Sequence, residues 1–220
     1  MRNIYTYYMP ILDNQEWILE KWRETWAAHG WEPVLLDQFD AGRHPAFESY
    51  TEIMEKKPLM NFFEYEIACF HRWLALAAVG GGVMADYDCM NNGLTPDDIS
   101  WSDELTIYEP PHVPSLVSGG AKEYERIAKL FEAFDVKDYK KELYPHTKEG
   151  TAVSDMLILA NCPEQVRPRK IVAEYKSEGW RQAKAIHFPH NSCDGQKRYA
   201  ITKWLLTSDR VRVLEEKSGG

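Results

Sequence analysis

Residues 72–88 read RWLALAAVGGGVMADYD, and this stretch decides the fold. Its first half is apolar and helical, and it stops at Gly80-Gly81-Gly82, because glycine best takes the left-handed conformation that closes a helix. Val83-Met84-Ala85 then starts a short apolar strand that runs straight into Asp86-Tyr87-Asp88. Upstream, Phe62, Phe63, Ile67, Phe70, Leu74 and Ala78 recur on one helical face, and Asn61 followed by Glu64 has the form of a capping box. The order is helix, glycine stop, buried strand, acidic mouth.

The same alternation extends outward. Ile4–Tyr8 (IYTYY) is rich in β-formers and is stopped by Pro10. Asn14 is placed to cap a helix through roughly His29, on which Trp17, Ile18, Trp22 and Trp26 recur at helical spacing before Gly30. Pro33–Leu36 reads as a buried strand opening into Asp37, Gln38 and Asp40, and residues 41–58 read as irregular or weakly helical. Downstream, Leu105–Tyr108, Ser115–Ser118, Met156–Leu159 and Ala185–Phe188 read as strands. Ala121–Phe134 and Glu164–Gly179 read as helices. Short apolar strands between helices predict an α/β protein with a mostly parallel, mixed sheet covered on both faces. Without a repeat or a biased linker, residues 1–215 read as one domain and 216–220 as a flexible tail.

Composition narrows the function classes. The 220 residues are 44% hydrophobic and 27% charged, enough for a sizeable core. A net charge of -8 argues against a nucleic-acid binder, which normally presents a basic face. Cys69, Cys89, Cys162 and Cys193 are scattered with no C-x-x-C pair, so neither a disulfide framework nor a zinc site is expected. Reduced thiols, no leader pattern and no bilayer-length apolar run predict a cytoplasmic protein without a transmembrane segment.

Ligands of open α/β sheets gather at the carboxyl ends of strands, where Asp86 and Asp88 stand. Residues two apart in an extended segment project the same way, so both carboxylates face one site. Carboxylates suit hard divalent cations, which in turn suit phosphate oxygens. An EF-hand does not fit, since Met90 and Asn91 occupy the positions where that loop needs an oxygen ligand and a glycine. The triple glycine is not a dinucleotide fingerprint either, because it follows a helix and precedes a strand.

The run from Arg72 to Asp88 resembles the signature of the DXD sugar-transferases, which include glycosyltransferase family 32 and the large clostridial toxin glucosyltransferases. The shared pattern is an Arg-led helix, an apolar turn, a Gly-Gly, a short strand and Asp-x-Asp. Two departures stand out. Cys69 replaces an Asp three residues before the Arg, and a third glycine is present. The resemblance implies a GT-A fold, a Rossmann-like nucleotide half joined to an acceptor half. It implies manganese or magnesium as cofactor, held by Asp88 with Asp86 and a late histidine. Asp86 would also meet the ribose or sugar, and Arg72 would lie near the donor sugar, with an ordinary salt bridge as the plainer alternative.

His187, in Lys184-Ala185-Ile186-His187-Phe188, resembles that late histidine, with His190 in reserve. Lys197 and Arg198, after Gly195-Gln196, would meet the leaving diphosphate; a solvated helix start is the bland alternative. Thr6, Tyr7 and Asp37, at the ends of the first two strands, are the candidates for the base and ribose. Asp155, in Thr151-Ala152-Val153-Ser154-Asp155, is the candidate base if configuration inverts; if it is retained, Asp155 only orients the acceptor.

The expected activity is metal-dependent transfer from a nucleotide sugar, UDP-linked ahead of GDP-linked, to a glycan or other hydroxyl acceptor. The rivals are a sugar-1-phosphate nucleotidyltransferase and a non-catalytic carbohydrate-binding module. The first opens with a Gly-rich basic loop, which Met9-Pro10-Ile11-Leu12-Asp13 does not resemble. The second would suit the eight Trp, although several fall on a helical stripe and read as core.

Overall fold

A computed structural model describes residues 2–11, 15–109, 112–139 and 151–218, with side chains through 207. Asn14, the expected helix cap, lies outside the described residues, as do Leu12 and Asp13. In chain order the elements begin with β1 (Arg2–Tyr7), α1 (Glu16–Ala27), β2 (Trp31–Leu36), α2 (Gln38–Ala41) and α3 (Phe47–Glu55). They continue with α4 (Phe63–Ala78), β3 (Gly81–Ala85), β4 (Cys89–Asn91), β5 (Thr106–Glu109), β6 (Val113–Gly120) and α5 (Ala121–Ala133). The last are α6 (Asp155–Asn161), β7 (Arg167–Pro168), β8 (Val172–Glu174), β9 (Ala185–His187) and α7 (Lys197–Ser218).

Among the described residues the strands form a six-stranded sheet, ordered β2-β1-β3-β6-β5-β7, and a three-stranded sheet, β4-β9-β8. Strand β1 runs parallel to both β2 and β3, and β5 runs parallel to β7. Strand β6 runs against β3 and β5, which makes the main sheet mixed. Neighbouring residues of β3 feed different cores. Val83 and Ala85 pack with Trp22, Trp26 and Ile186 on one face, while Met84 packs with Trp73, Tyr124 and Phe131 on the other. A strand buried on both faces needs a continuous apolar run rather than alternation, which is what Val83-Met84-Ala85 supplies.

The glycines that open β3 permit its close approach to β6 and β1. Gly81 has φ +84, and a Cβ there would lie 2.6 Å from the Gly119 carbonyl and from the Ala121 amide nitrogen. Gly82 has φ +134, and its Cβ would strike the Tyr5 ring at 2.9 Å. The third glycine is therefore steric, because no side chain fits between β3 and its neighbours.

Three expectations are corrected. Met156–Leu159 is not a strand. It belongs to α6, whose first turn is capped by the Ser154 hydroxyl accepting from the Leu157 amide at 3.2 Å. Four apolar residues do not by themselves distinguish a strand from a helix, and the cap decides. Glu164–Gly179 is not a helix. Pro168 interrupts it, and the chain forms a 3-10 turn (Pro163–Gln165), then β7, then β8. Pro168 is tolerated because β7 is an edge strand, where a missing N–H costs nothing. Third, the Asn61–Glu64 capping box does not form. Helix α4 begins at Phe63 with no side-chain cap, and Asn61 donates instead to buried Glu66.

Residues 41–58 are more ordered than expected, since α3 buries Tyr50 and Met54 there. Helix α7 runs through Ser218, beyond the expected boundary at 215, and Gly219-Gly220 lies outside the described residues. No described helix is long and apolar enough to cross a membrane.

Candidate metal centre

Strand β3 ends at Ala85, and the Asp86 amide closes on the Ser115 carbonyl of β6 at 2.8 Å. A tight turn follows, with the Cys89 amide on the Asp86 carbonyl at 2.8 Å, and then β4 pairs antiparallel with β9. Cys89 sits opposite His187 in that register, and the Phe188 amide donates to the Asp88 carbonyl at 3.0 Å. Residues separated by a hundred positions thus meet at the mouth of β3. Asp86, Asp88 and His187 each offer one ligand atom within 4.8 Å of the others.

His187 is oriented from behind. Its Nδ1 lies 2.8 Å from Oε2 of Glu109, the last residue of β5, and that same oxygen accepts from the Ser115 hydroxyl. A carboxylate only accepts, so Nδ1 carries a proton and Nε2 is left facing Asp88 Oδ1 at 3.7 Å. Burial alone would lower the pKa of the imidazole, but the Asp88 and Glu109 carboxylates outweigh it and raise it to about 9.

Two cations neutralise the acids. Arg72 Nη1 meets Asp86 Oδ1 at 2.5 Å, and its Nη2 and Nε meet Asp155 Oδ2 at 2.5 and 3.1 Å. Asp155 Oδ2 also accepts from the Trp73 indole at 3.1 Å, and its Oδ1 accepts from the Met156 amide at 2.7 Å. Lys197, the first residue of α7, places Nζ 2.5 Å from Asp88 Oδ2. The two aspartates of the motif are pushed apart as acids. Burial raises Asp86 despite Arg72, whereas for Asp88 the burial penalty is outweighed by Lys197 and His187 and the pKa falls. Carboxyls shifted in opposite directions recur at functional sites and in structural ion-pair networks, and here each aspartate has a cationic partner.

Asp86, Asp88, His187, Arg72, Lys197 and Asp155 therefore converge. The remaining sequence candidates do not join them. The Arg198 guanidinium lies over the Trp17 ring, 5.0 Å from its centroid. His190 is exposed, and its carbonyl accepts the Gly195 amide at 3.1 Å. Asp37 caps α2, accepting from the Phe39 and Asp40 amides at 2.7 and 3.3 Å. Thr6 and Tyr7 are buried, and the Tyr7 ring belongs to the core with Leu36, Ala41 and Tyr50. Their hydroxyls have no partner among the described residues. Tyr8 is the aromatic at that strand end that approaches the motif, meeting Tyr87 edge-on at 5.8 Å.

Glu109 and Ser115 belong to the candidate site by their contacts, and sequence reasoning missed them. A glutamate closing an apolar strand, Thr106-Ile107-Tyr108-Glu109, is the one signal that pointed to them. A cleft of about 630 Å3, lined by Met9, Pro10, Ile11, Gln38, Phe62 and Glu64, lies past the carboxyl ends of β1 and β2 on the same edge of the sheet.

Residues 2–100 match a family model described as a domain of unknown function (DUF8765). No curated protein sequence is matched by the chain. The fold is similar to the crystal structure of a glycosyltransferase involved in the glycosylation of the major capsid of PBCV-1, with a TM-score of 0.54 and 13% identity. That likeness covers 91% of this chain and 98% of the other. The architecture is an α/β fold of the GT-A-like type.

Proposed function

We propose that this chain is a metal-dependent glycosyltransferase that moves a sugar from a nucleoside diphosphate sugar to a hydroxyl acceptor. The observation that carries the reading is the convergence of Asp86, Asp88 and His187 within 4.8 Å at a strand's carboxyl end, with His187 locked by Glu109. Two carboxylates and one imidazole suit manganese or magnesium, and the backing carboxylate is what a metal-binding histidine ordinarily has. Asp88 and His187 would hold the cation directly, with Asp86 beside them. When bound, it would neutralise charge on the diphosphate as the sugar leaves.

The protein's own groups supply the rest. Arg72, fixed by Asp155, holds the Asp86 carboxylate toward the donor. Lys197 would donate to the diphosphate oxygens. The 630 Å3 cleft past β1 and β2 offers space for the nucleoside, UDP ahead of GDP as the resemblance to DXD sugar-transferases suggests. Both oxygens of Asp155 are already engaged, so we assign it the positioning of Arg72 rather than proton abstraction from the acceptor.

A carbohydrate-binding module is the weaker reading, because Trp22, Trp26, Trp31 and Trp73 are fully buried and offer no stacking face. Thermal shift with nucleoside diphosphates and their sugars, with and without manganese, tests the proposal. Stabilisation that needs both components, and that Asp88→Ala abolishes in a folded protein, is expected. Equal stabilisation of wild type and Asp88→Ala by manganese and UDP would falsify it.

A further inference from the structure

Both oxygens of Asp88 already face nitrogen atoms, since His187 Nε2 lies 3.7 Å from Oδ1 and Lys197 Nζ lies 2.5 Å from Oδ2. The two cations of the cluster are anchored very differently. Arg72 is buried and gripped by Asp86 and Asp155 at once, so it has nowhere to go. Lys197 has one carboxylate partner and keeps 17% of its side chain in solvent. It opens a helix immediately after a turn in which Asp194 and Gly195 have φ +51 and +72. A divalent cation on Asp88 and an ammonium at hydrogen-bond distance from the same carboxylate repel each other, and a single carboxylate does not neutralise both.

We propose that Lys197 is a placeholder cation. Its ammonium occupies Asp88 in the free protein, a divalent cation binds by displacing it, and the displaced ammonium then serves the diphosphate. This rests on the metal and diphosphate reading above. Affinity for the cation alone is held down by the Lys197–Asp88 pair. A diphosphate relieves that penalty by giving Lys197 another anion, so the two ligands bind with positive and reciprocal coupling. The arrangement keeps two buried carboxylates neutralised while the site waits, instead of leaving Asp88 with only the imidazole.

The experiment is a manganese titration of the 220-residue chain, reading free manganese directly, with and without UDP, on wild type, Lys197→Met, Lys197→Gln, Arg198→Met and Asp88→Asn. Without UDP, both Lys197 variants should bind manganese about tenfold tighter than wild type, and UDP should tighten the binding less than it does in wild type. Arg198→Met removes an equal charge one residue away, where it stacks on Trp17 and touches neither aspartate, so it should leave the affinity near wild type. Unchanged or weaker binding in the Lys197 variants, or equal tightening in Arg198→Met, overturns the placeholder while leaving the metal site standing. Absence of manganese binding in wild type and Lys197 variants alike, with Asp88→Asn indistinguishable from them, overturns both the placeholder and the functional reading beneath it.

Discussion

His187 Nδ1 lies 2.8 Å from Glu109 Oε2, and this bond decides which nitrogen of the ring faces Asp88. Glu109 is buried at the end of β5 and shares its oxygen with the Ser115 hydroxyl of β6, so the imidazole is oriented by two strands of the main sheet. Asp88 reaches the same point from the smaller sheet, through the pairing of β4 with β9. The candidate metal centre is thus where the two sheets touch.

Replacing Glu109 by Gln keeps the shape but removes the obligate acceptor, so the ring is free to present either nitrogen. Manganese affinity should fall by roughly 10- to 100-fold, as for other outer carboxylates behind metal-bound histidines. A direct titration measures this, with a thermal melt to confirm that the variant is folded. Affinity equal to wild type would remove Glu109 from the site.

Helix α6 has Ser154 as its N-cap. The Ser154 hydroxyl takes the Leu157 amide at 3.2 Å, and Ser154→Ala should cost about 1 kcal/mol of stability. Chemical denaturation reads that loss. A cost near zero would mean that burial of Leu157, Ile158 and Leu159 holds the helix without its cap.

How much of this could be read from residue order depends on range. The path from Phe63 to Asp88 was legible because helix, glycine stop and buried strand are each encoded locally. The place of His187 at a strand end was legible from Ala185 and Ile186, whereas its candidacy as a ligand came from the resemblance to DXD sugar-transferases. What failed was of two kinds. Met156–Leu159 is too short for its periodicity to tell helix from strand, and Pro168 outweighed the otherwise helical composition of 164–179. Glu109, Ser115 and the Lys197–Asp88 pair depend on strand register and on where a distant helix begins, which no local pattern records. Tyr7 shows the cost of alternation without depth, since on a strand covered on both faces each side of the alternation points into a core.

Two buried titratable groups on α4 should act on stability in opposite directions. Burial raises the Glu66 carboxyl from 4.5 to about 7, with Asp155 adding to the rise and Asn61 and Arg72 opposing it. Its stabilising contribution is therefore full below pH 4.5 and is lost as pH rises through 7. Burial lowers His71 from 6.5 to about 4; its Nε2 is paired with Thr51 Oγ1 at 2.8 Å and its Nδ1 has no partner among the described residues. That contribution is present above pH 6.5 and is lost as pH falls through 4. Each is worth up to about 3 kcal/mol, so between pH 4.5 and 6.5 they nearly cancel and wild-type stability should be flat. Glu66→Gln should unmask the histidine and make stability rise across that window, and His71→Gln should make it fall. Denaturation midpoints for the three proteins between pH 4 and 8 check this, and parallel curves would reject it.

The last prediction separates two roles for Asp155. In the structure its carboxylate fixes Arg72 through two nitrogens and accepts from the Trp73 indole, while Arg72 holds Asp86. Asp155→Asn keeps an oxygen for these donors but removes the charge, leaving Arg72 with Asp86 as its one carboxylate. The expected cost is roughly 2–3 kcal/mol, near the lower end of breaking a buried pair, because the amide oxygen still accepts. Turnover with saturating manganese should fall as Asp86 loses its fixed orientation, while manganese affinity stays at wild-type level because Asp88 and His187 are untouched. The pH profile discriminates further. A group that takes the acceptor's proton contributes the acidic limb of the rate profile, and replacing it by an amide removes that limb. A group that only positions Arg72 leaves the shape of the profile intact and lowers its height. The arrangement of donors around Asp155 predicts the second outcome, and loss of the acidic limb in Asp155→Asn would return the residue to the role of base.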